Sequence, residues 1–315
     1  MINKPIGGYF ELELPSHREW HADAIALNSG RFCLEYILKS RKYTKIFVPY
    51  YTCDSAVEPV EKLGIPYEFY HIDESYRIVE DIIIQDHQAL LYTNYWGLQD
   101  EYCIELSKKY GSQLILDYTQ AFYAQPISGI DTFYSCRKFF GVSDGGYLYT
   151  SKKLVENLEQ DESYTRMTSL LKRLDLSPEA GFADFRKCSE EFHKVPMRYM
   201  SKLTKRIMSS INYKDIAYRR RANYEVLRSY FGGKLLMSEE VPMIFPYVVN
   251  DGQELRKYLI QNKVFVAKYW PNVEVWAGGD SLEAKMANNT IPLPIDQRYT
   301  IDDMMCIVKL IQDYE

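Results

Sequence analysis

The chain of 315 residues has no excess of basic charge. Its 38 lysine and arginine residues stand against 43 aspartate and glutamate, a net charge of -5. A near-neutral, slightly acidic surface argues against a dedicated nucleic-acid binder, which carries a basic face. No segment approaches the ~20 apolar residues of a membrane span, and the opening MINKPIGGYFELELPSHREW lacks the apolar core of a signal peptide. The six cysteines (Cys33, Cys53, Cys103, Cys136, Cys188 and Cys306) are scattered, and none sits in a C-x-x-C pair. That spacing points to a reduced, cytoplasmic chain without structural zinc. Internal repeats and low-complexity stretches are also missing.

What remains is ordinary globular composition, 46% hydrophobic and 26% charged. The length allows one large domain or two modest ones. Tyrosine is abundant, with 28 residues. Its ring packs while its hydroxyl bonds, which suits polar-edged pockets and interfaces.

The first 27 residues contain Gly7-Gly8 and Pro15 and read as an irregular arm. Apolar Phe32, Cys33, Tyr36 and Ile37 then recur at helical spacing, predicting a helix from about Gly30. Lys45 to Pro49 reads as a strand, Ser55 to Leu63 as a helix stopped by Gly64, and Tyr67 to His71 as a strand. The alternation continues with a strand over Gln88 to Tyr92 and a helix over Asp100 to Tyr110 with Gly111 beyond its end. Strands follow at Gln113 to Leu116, Asp131 to Ser135 and Gly146 to Thr150. Strand–helix–strand units at this spacing predict an α/β fold, a mostly parallel sheet with helices on both faces. Residues 151–223 read as helical and charged, and Arg219-Arg220-Arg221 near their end reads as a solvated helix face. After Tyr230 the pattern changes. A strand over Met243 to Val249, a helix over Gly252 to Gln261, a strand over Val264 to Ala267 and a helix over Ile301 to Asp313 suggest a small α+β unit. The expected divisions are an arm (1–27), a large domain (28–223) and a small C-terminal domain (224–315).

His17 and His21, four apart, invite a metal reading, but Glu19 is misplaced for the metalloprotease pattern and no third ligand is apparent. Four other sites carry more. Asn28-Ser29-Gly30-Arg31 stands at a helix start, where free N–H groups and the helix dipole can hold an anion; plain capping by Ser29 or Asn28 is the simpler alternative. Asp117 ends the apolar strand Leu114-Ile115-Leu116, and in open α/β sheets ligands bind beyond such strand ends. Lys138 sits beside Phe139 and Phe140; a lysine in an apolar pocket loses pKa and becomes the nucleophilic amine that Schiff-base chemistry requires, while a surface lysine in a loop is the simpler alternative for Lys138 alone. Ser143-Asp144-Gly145-Gly146 leads into a strand. An anion cup, an acid and such a lysine together suit pyridoxal 5'-phosphate.

The order of these motifs resembles the DegT/DnrJ/StrS family of sugar aminotransferases. The family's phosphate turn matches Ser29-Gly30-Arg31-Phe32, and its Val-Pro-x-Tyr-Thr segment matches Val48-Pro49-Tyr50-Tyr51-Thr52. Its Asp-x-x-Gln matches Asp117-Tyr118-Thr119-Gln120, and its lysine, acid and two glycines match Lys138, Asp144, Gly145 and Gly146. Weaker similarity recurs at Tyr269-Trp270-Pro271 and Ile291-Pro292-Leu293-Pro294. The resemblance implies the three-layer PLP-dependent transferase fold (fold type I). It also implies a cytoplasmic homodimer and a transferase of amino groups from glutamate to a nucleotide-linked keto-sugar, for surface polysaccharide synthesis.

By the same resemblance, Lys138 bonds the cofactor and shuttles protons, and Asp117 pairs with the ring nitrogen. Gln120 approaches the ring hydroxyl, and Gly30, Arg31 and Phe32 offer N–H groups to the phosphate. Ser135, three before the lysine, is placed like a phosphate-binding serine. Three positions depart from the family, and a fourth is a candidate for one of its features. Cys53 stands where a ring-stacking aromatic is usual, leaving Tyr50, Tyr51 or Tyr95 as substitutes. Phe133 replaces a serine, Arg137 beside the lysine is unusual, and Asn212 is the candidate to reach a partner subunit's phosphate. The motifs also admit another chemistry on the same cofactor, such as dehydration or transfer to a non-sugar ketone. A binding protein that has lost catalysis is a third reading.

Overall fold

The structure, a computed structural model, describes residues 6–315; residues 1–5 of the expected arm lie outside the described residues. A short strand, β1 (Ile25–Leu27), ends the arm, and α1 (Gly30–Arg41) follows. The units β2 (Lys45–Pro49), α2 (Asp54–Lys62), β3 (Tyr67–Tyr70), β4 (Gln88–Thr93), α3 (Asp100–Tyr110), β5 (Leu114–Asp117), β6 (Asp131–Ser135) and β7 (Gly146–Tyr149) complete the first half. Seven strands form one sheet in the order β1-β7-β6-β5-β4-β2-β3. The pairs from β3 through β2, β4 and β5 to β6 are parallel; β7 and then β1 close the far edge antiparallel.

The strand pattern dictates three layers. Successive side chains along a strand point to opposite faces. Ile46, Val48, Ala89, Leu91, Ile115, Phe133 and Leu148 face the cluster that α1 and α2 cover. Their neighbours Phe47, Leu90, Tyr92, Leu114, Leu116, Tyr134 and Tyr147 face a second cluster shared with the C-terminal half. Both faces are buried, as a parallel sheet requires.

Residues 151–223 are less helical than their charge pattern suggests. Helices begin only with α4 (Thr168–Asp175), followed by α5 (Pro178–Glu191), α6 (Lys202–Met208) and α7 (Tyr213–Phe231). The last runs unbroken through the expected division at 223. The C-terminal part holds β8 (Phe245–Val248), α8 (Gly252–Gln261), α9 (Val273–Ala277), α10 (Leu282–Asn289), β9 (Thr290–Leu293) and α11 (Ile301–Tyr314). The expected strand over Val264 to Ala267 is not formed. Lys263 turns left-handed (φ 65°) and donates to the Ile260 carbonyl, while the Val264 N–H donates to Leu259. These two bonds close the end of α8, so the strand's first amide is already used. The partner of β8 is β9, paired antiparallel.

One contact fixes the sheet edge against α1. A Cβ on Gly146 would stand 2.7 Å from the Ser29 carbonyl carbon and 2.8 Å from the Gly30 nitrogen. Both are backbone atoms and cannot rotate away. Gly146→Ala is therefore expected to destabilise the protein by about 1–3 kcal/mol, the usual cost of overpacking. Urea denaturation measures it, and a midpoint equal to wild type would refute the contact.

Candidate functional site

The carboxyl ends of β2, β4, β5 and β6 meet at one edge of the sheet, where open α/β sheets bind ligands. A cleft of about 240 Å³ opens there. Ser29, Gly30, Arg31, Cys53, Asp117, Ser135 and Lys138 all line it, although they are spread over 110 residues of sequence, from 29 to 138. A larger cavity of about 330 Å³ lies elsewhere, between the start of α3 and β8, and contains none of these residues. Size does not identify the site; the convergence of chemistry does.

The start of α1 forms one wall. Ser29 is extended (φ -163°, ψ 158°) and its side chain caps nothing. Asn28 is also committed elsewhere: its amide donates to the Pro196 carbonyl at 3.1 Å and accepts from the Arg198 N–H at 3.1 Å. The first turn carries no acidic residue. The capping alternative is thus not what the helix adopts, and its first N–H groups, including those of Gly30, Arg31 and Phe32, have no intrahelical acceptor. Gly30 lets this turn approach the sheet, because a Cβ there would stand 3.1 Å from Thr119 Cγ2. The Phe32 ring itself is buried near Phe192. The Arg31 side chain turns to α2, donating to Ser55 Oγ at 2.8 Å and pairing with Glu58.

Asp117 and Lys138 form the floor. Asp117 is buried, accepts the Thr119 N–H at 2.8 Å and makes no ion pair among the described residues. Burial pushes its carboxyl pKa above the usual carboxylate range, and the nearby Lys138 charge offsets only part of that. The Lys138 ammonium donates to Thr119 Oγ1 at 3.0 Å. Thr119 therefore bridges acid and lysine, a role its motif did not announce. Cys53 starts α2 and lines the same cleft. Burial pushes its thiol pKa up, so the group is neutral.

The loop bearing Ser135 and Lys138 is tightly held. The Cys136 N–H donates to the Gly145 carbonyl at 3.1 Å, and the Gly145 N–H donates to the Asn28 carbonyl at 2.9 Å. Gly145 has φ 116°, which only glycine adopts readily. Asp144 accepts from the Ser201 N–H and Oγ, both at 2.8 Å, and from Thr204 Oγ1. The Asp-Gly-Gly motif thus anchors the lysine loop to the start of α6 and does not enter the cleft.

Several expected residues stand elsewhere. Gln120 is fully buried outside the cleft lining; its Oε1 accepts the Trp96 N–H at 2.8 Å and its Nε2 has no partner. None of the candidate stacking tyrosines lines the cleft. Tyr50 stacks on Phe69 at 4.7 Å, Tyr51 is enclosed near Tyr76, Tyr95 and Trp270, and Tyr95 donates to the Tyr51 carbonyl. Asn212 caps α7 by accepting the Asp215 N–H at 3.3 Å. Within the arginine run Arg219 is exposed, as a solvated face expects, but Arg220 is not. Arg220 is 1% exposed and donates to the carbonyls of Met243 (3.0 Å), Pro242 and Phe139 (both 3.4 Å) and to Gln297 (3.1 Å). Burial pushes its pKa down to about 10.

His21 is buried among rings, with Nε2 2.7 Å from the Phe122 carbonyl; burial pushes its pKa down to about 4. Among the described residues no group of three His, Cys, Asp or Glu is arranged to hold a metal. Conversely, Phe185 and Ser189 of α5 reach the cleft without any sequence signal.

No known family profile matches the chain, and no curated protein matches it by sequence. Solved structures do match its fold. DesV of S. venezuelae, solved with a ketimine intermediate, superposes with a TM-score of 0.63 at 17% identity, over 92% of this chain and 84% of that one. The sugar aminotransferase CalS13 from Micromonospora echinospora gives 0.62 at 12% identity, over 94% and 88%. A DegT DnrJ EryC1 StrS aminotransferase from Brucella abortus gives 0.60 at 15% identity, over 92% and 85%. The chain therefore has the fold type I architecture of these sugar aminotransferases.

The raised Asp117 pKa makes a prediction for the ligand-free protein. The folded state holds the Asp117 proton more tightly than the unfolded chain, so this group's contribution to stability falls as pH rises through that interval. Asp117→Asn should be more stable than wild type at pH 7.5, and the difference should vanish on approaching pH 4. Denaturation at several pH values checks it; a less stable variant at pH 7.5 would contradict the assignment.

Proposed function

We propose that the chain is a pyridoxal 5'-phosphate-dependent aminotransferase. The observation that carries this reading is the meeting of Lys138, Asp117, Ser135 and the uncapped start of α1 in one cleft. The donor set fits the group. A carboxylate without an ion pair suits a protonated ring nitrogen, a lysine held by Thr119 suits a carbonyl carbon once its ammonium has given up a proton, and free first-turn N–H groups with Ser135 suit a phosphate. Bound there, the cofactor supplies an electron sink for negative charge on the carbon that carries the substrate nitrogen.

The chain's own residues do the rest. Asp117 holds positive charge at the ring nitrogen, and its burial makes that partner stabilising in turn. Lys138 accepts and returns a proton at Nζ, a general base and then a general acid. Thr119 Oγ1 fixes where that Nζ rests. Gly30, Arg31 and Phe32 offer backbone N–H groups, Cys53 lines the cleft, and Gln120 accepts from the Trp96 N–H outside it. Glutamate as donor, a nucleotide-linked keto-sugar as acceptor and a surface polysaccharide as destination extend the reading through the resemblance, as does a homodimer. Turnover assays with a nucleotide-linked keto-sugar and with a small non-sugar ketone separate this reading from transfer to the latter.

The deciding experiment titrates the purified protein with pyridoxal 5'-phosphate, follows the near-visible absorbance, fixes the adduct with borohydride and maps it. The adduct should fall on Lys138, and Lys138→Ala should lose both the fixed adduct and at least ~10³-fold of transaminase rate, as expected when a nucleophile and proton carrier is removed. Glutamate should bleach the wild-type band. An adduct on another lysine, or a spectrum unmoved by the aldehyde, overturns the proposal.

A further inference from the structure

Arg31 and Arg137 line the cleft, Arg166 approaches the Phe192 ring at 5.6 Å, and Arg31 and Arg166 are neutralised. Arg31 pairs with Glu58, and Arg166 with Asp161 at 2.7 Å. Arg137 pairs with no carboxylate among the described residues. Its guanidinium lies 4.8 Å over the Phe192 ring and donates to Ser189 Oγ at 3.2 Å, while the residue lines the cleft. Lost solvation pushes its pKa down, and the neighbouring Arg31 and Arg166 push the same way; Cys188 and Asp144 oppose them. An unpaired cation beside like charges is an unfavourable arrangement, and a bound anion relieves it.

The position selects the anion. Arg137 lies in the same turn, Cys136–Lys138, that starts at Ser135, and Ser29, Gly30 and Arg31 line the same cleft. We propose that Arg137 is the charged ligand of the phosphate subsite, gripping the cofactor phosphate together with Ser135 and the start of α1. The inference rests on the cofactor reading above and adds to it. The charge at the anion site comes from Arg137, a residue at a position where the resemblance offers no counterpart. Phe192 and Ser189 are positioning residues, holding the guanidinium plane and its direction.

The test compares pyridoxal 5'-phosphate with pyridoxal, which lacks the phosphate, on wild type, Arg137→Ala, Arg137→Lys and Ser189→Ala. Dissociation constants come from absorbance, and a thermal scan of the ligand-free protein with inorganic phosphate provides a second readout. Arg137→Ala should weaken pyridoxal 5'-phosphate roughly ten- to a hundredfold, the effect of losing a charge-assisted bond, while pyridoxal changes by less than about twofold. Arg137→Lys, which keeps the charge without the planar fork, should recover part of the loss. Ser189→Ala should show a smaller loss of the same selectivity, and it covers the case in which Arg137→Ala does not fold. Inorganic phosphate should stabilise wild type but not Arg137→Ala.

Equal losses for both aldehydes, unchanged pyridoxal 5'-phosphate affinity, or a selective loss for glutamate alone would overturn the assignment. If wild type binds neither aldehyde, the cofactor reading fails. Phosphate stabilisation that depends on Arg137 would still support the anion site in that case, and phosphate stabilisation equal in both proteins would overturn it.

Discussion

The site depends on a backbone-to-backbone approach. Where β7 begins, its chain passes under the first turn of α1 with no room for a single side-chain carbon at Gly146. That approach sets the height of the α1 amides above the sheet. It also brings the Asn28 carbonyl to the Gly145 N–H, which folds the lysine loop back over the strand ends. The anion cup and the lysine are thus placed by the same few atoms. Asp144 then ties the loop's far end to the start of α6 through Ser201 and Thr204. A residue that looked like a site acid in the motif is instead the peg that keeps the lysine loop from swinging.

Against this rigid frame, the groups at the cleft are held in unfavourable states. Asp117 is buried without a cation in contact, Arg137 lacks a carboxylate, and the first turn of α1 lacks a cap. Each is a local cost that ordinary packing would remove with one substitution. Their concentration at a single edge of the sheet is the mark of a candidate site, where unsatisfied groups can be met by a ligand. The 330 Å³ cavity shows the contrast: Lys234 on its wall is already paired with Glu240 at 2.5 Å.

Much of the first half was legible in the sequence because its signals are local. The alternation of β2, β4, β5 and β6 with α1, α2 and α3 follows from short apolar runs, Pro49, Gly64 and Gly111. The cleft-lining residues from Ser29 to Lys138 could be picked out because each sits at an element's end. What was not legible depends on chain segments that meet only in three dimensions. Arg220 looks like a surface charge until the carbonyls of Met243 and Phe139 surround it. Val264 to Ala267 is apolar enough for a strand, but closing α8 uses the Val264 amide. The tyrosines near the motifs lie behind the cleft because several bond backbone carbonyls in the core, such as Tyr134 to Ala124. Phe185 and Ser189 entered the cleft from a helix whose sequence shows only an amphipathic pattern.

Arg220 also carries a mechanical consequence. Its guanidinium bonds carbonyls before β8 and the Phe139 carbonyl, one residue after Lys138, and Gln297 reaches the same Phe139 carbonyl at 2.8 Å. The C-terminal part of the chain is therefore geared to the lysine's own backbone. A displacement of that part about α7 would pull on residue 139 through these bonds, so a closing motion over the cleft would reach the main chain beside Lys138.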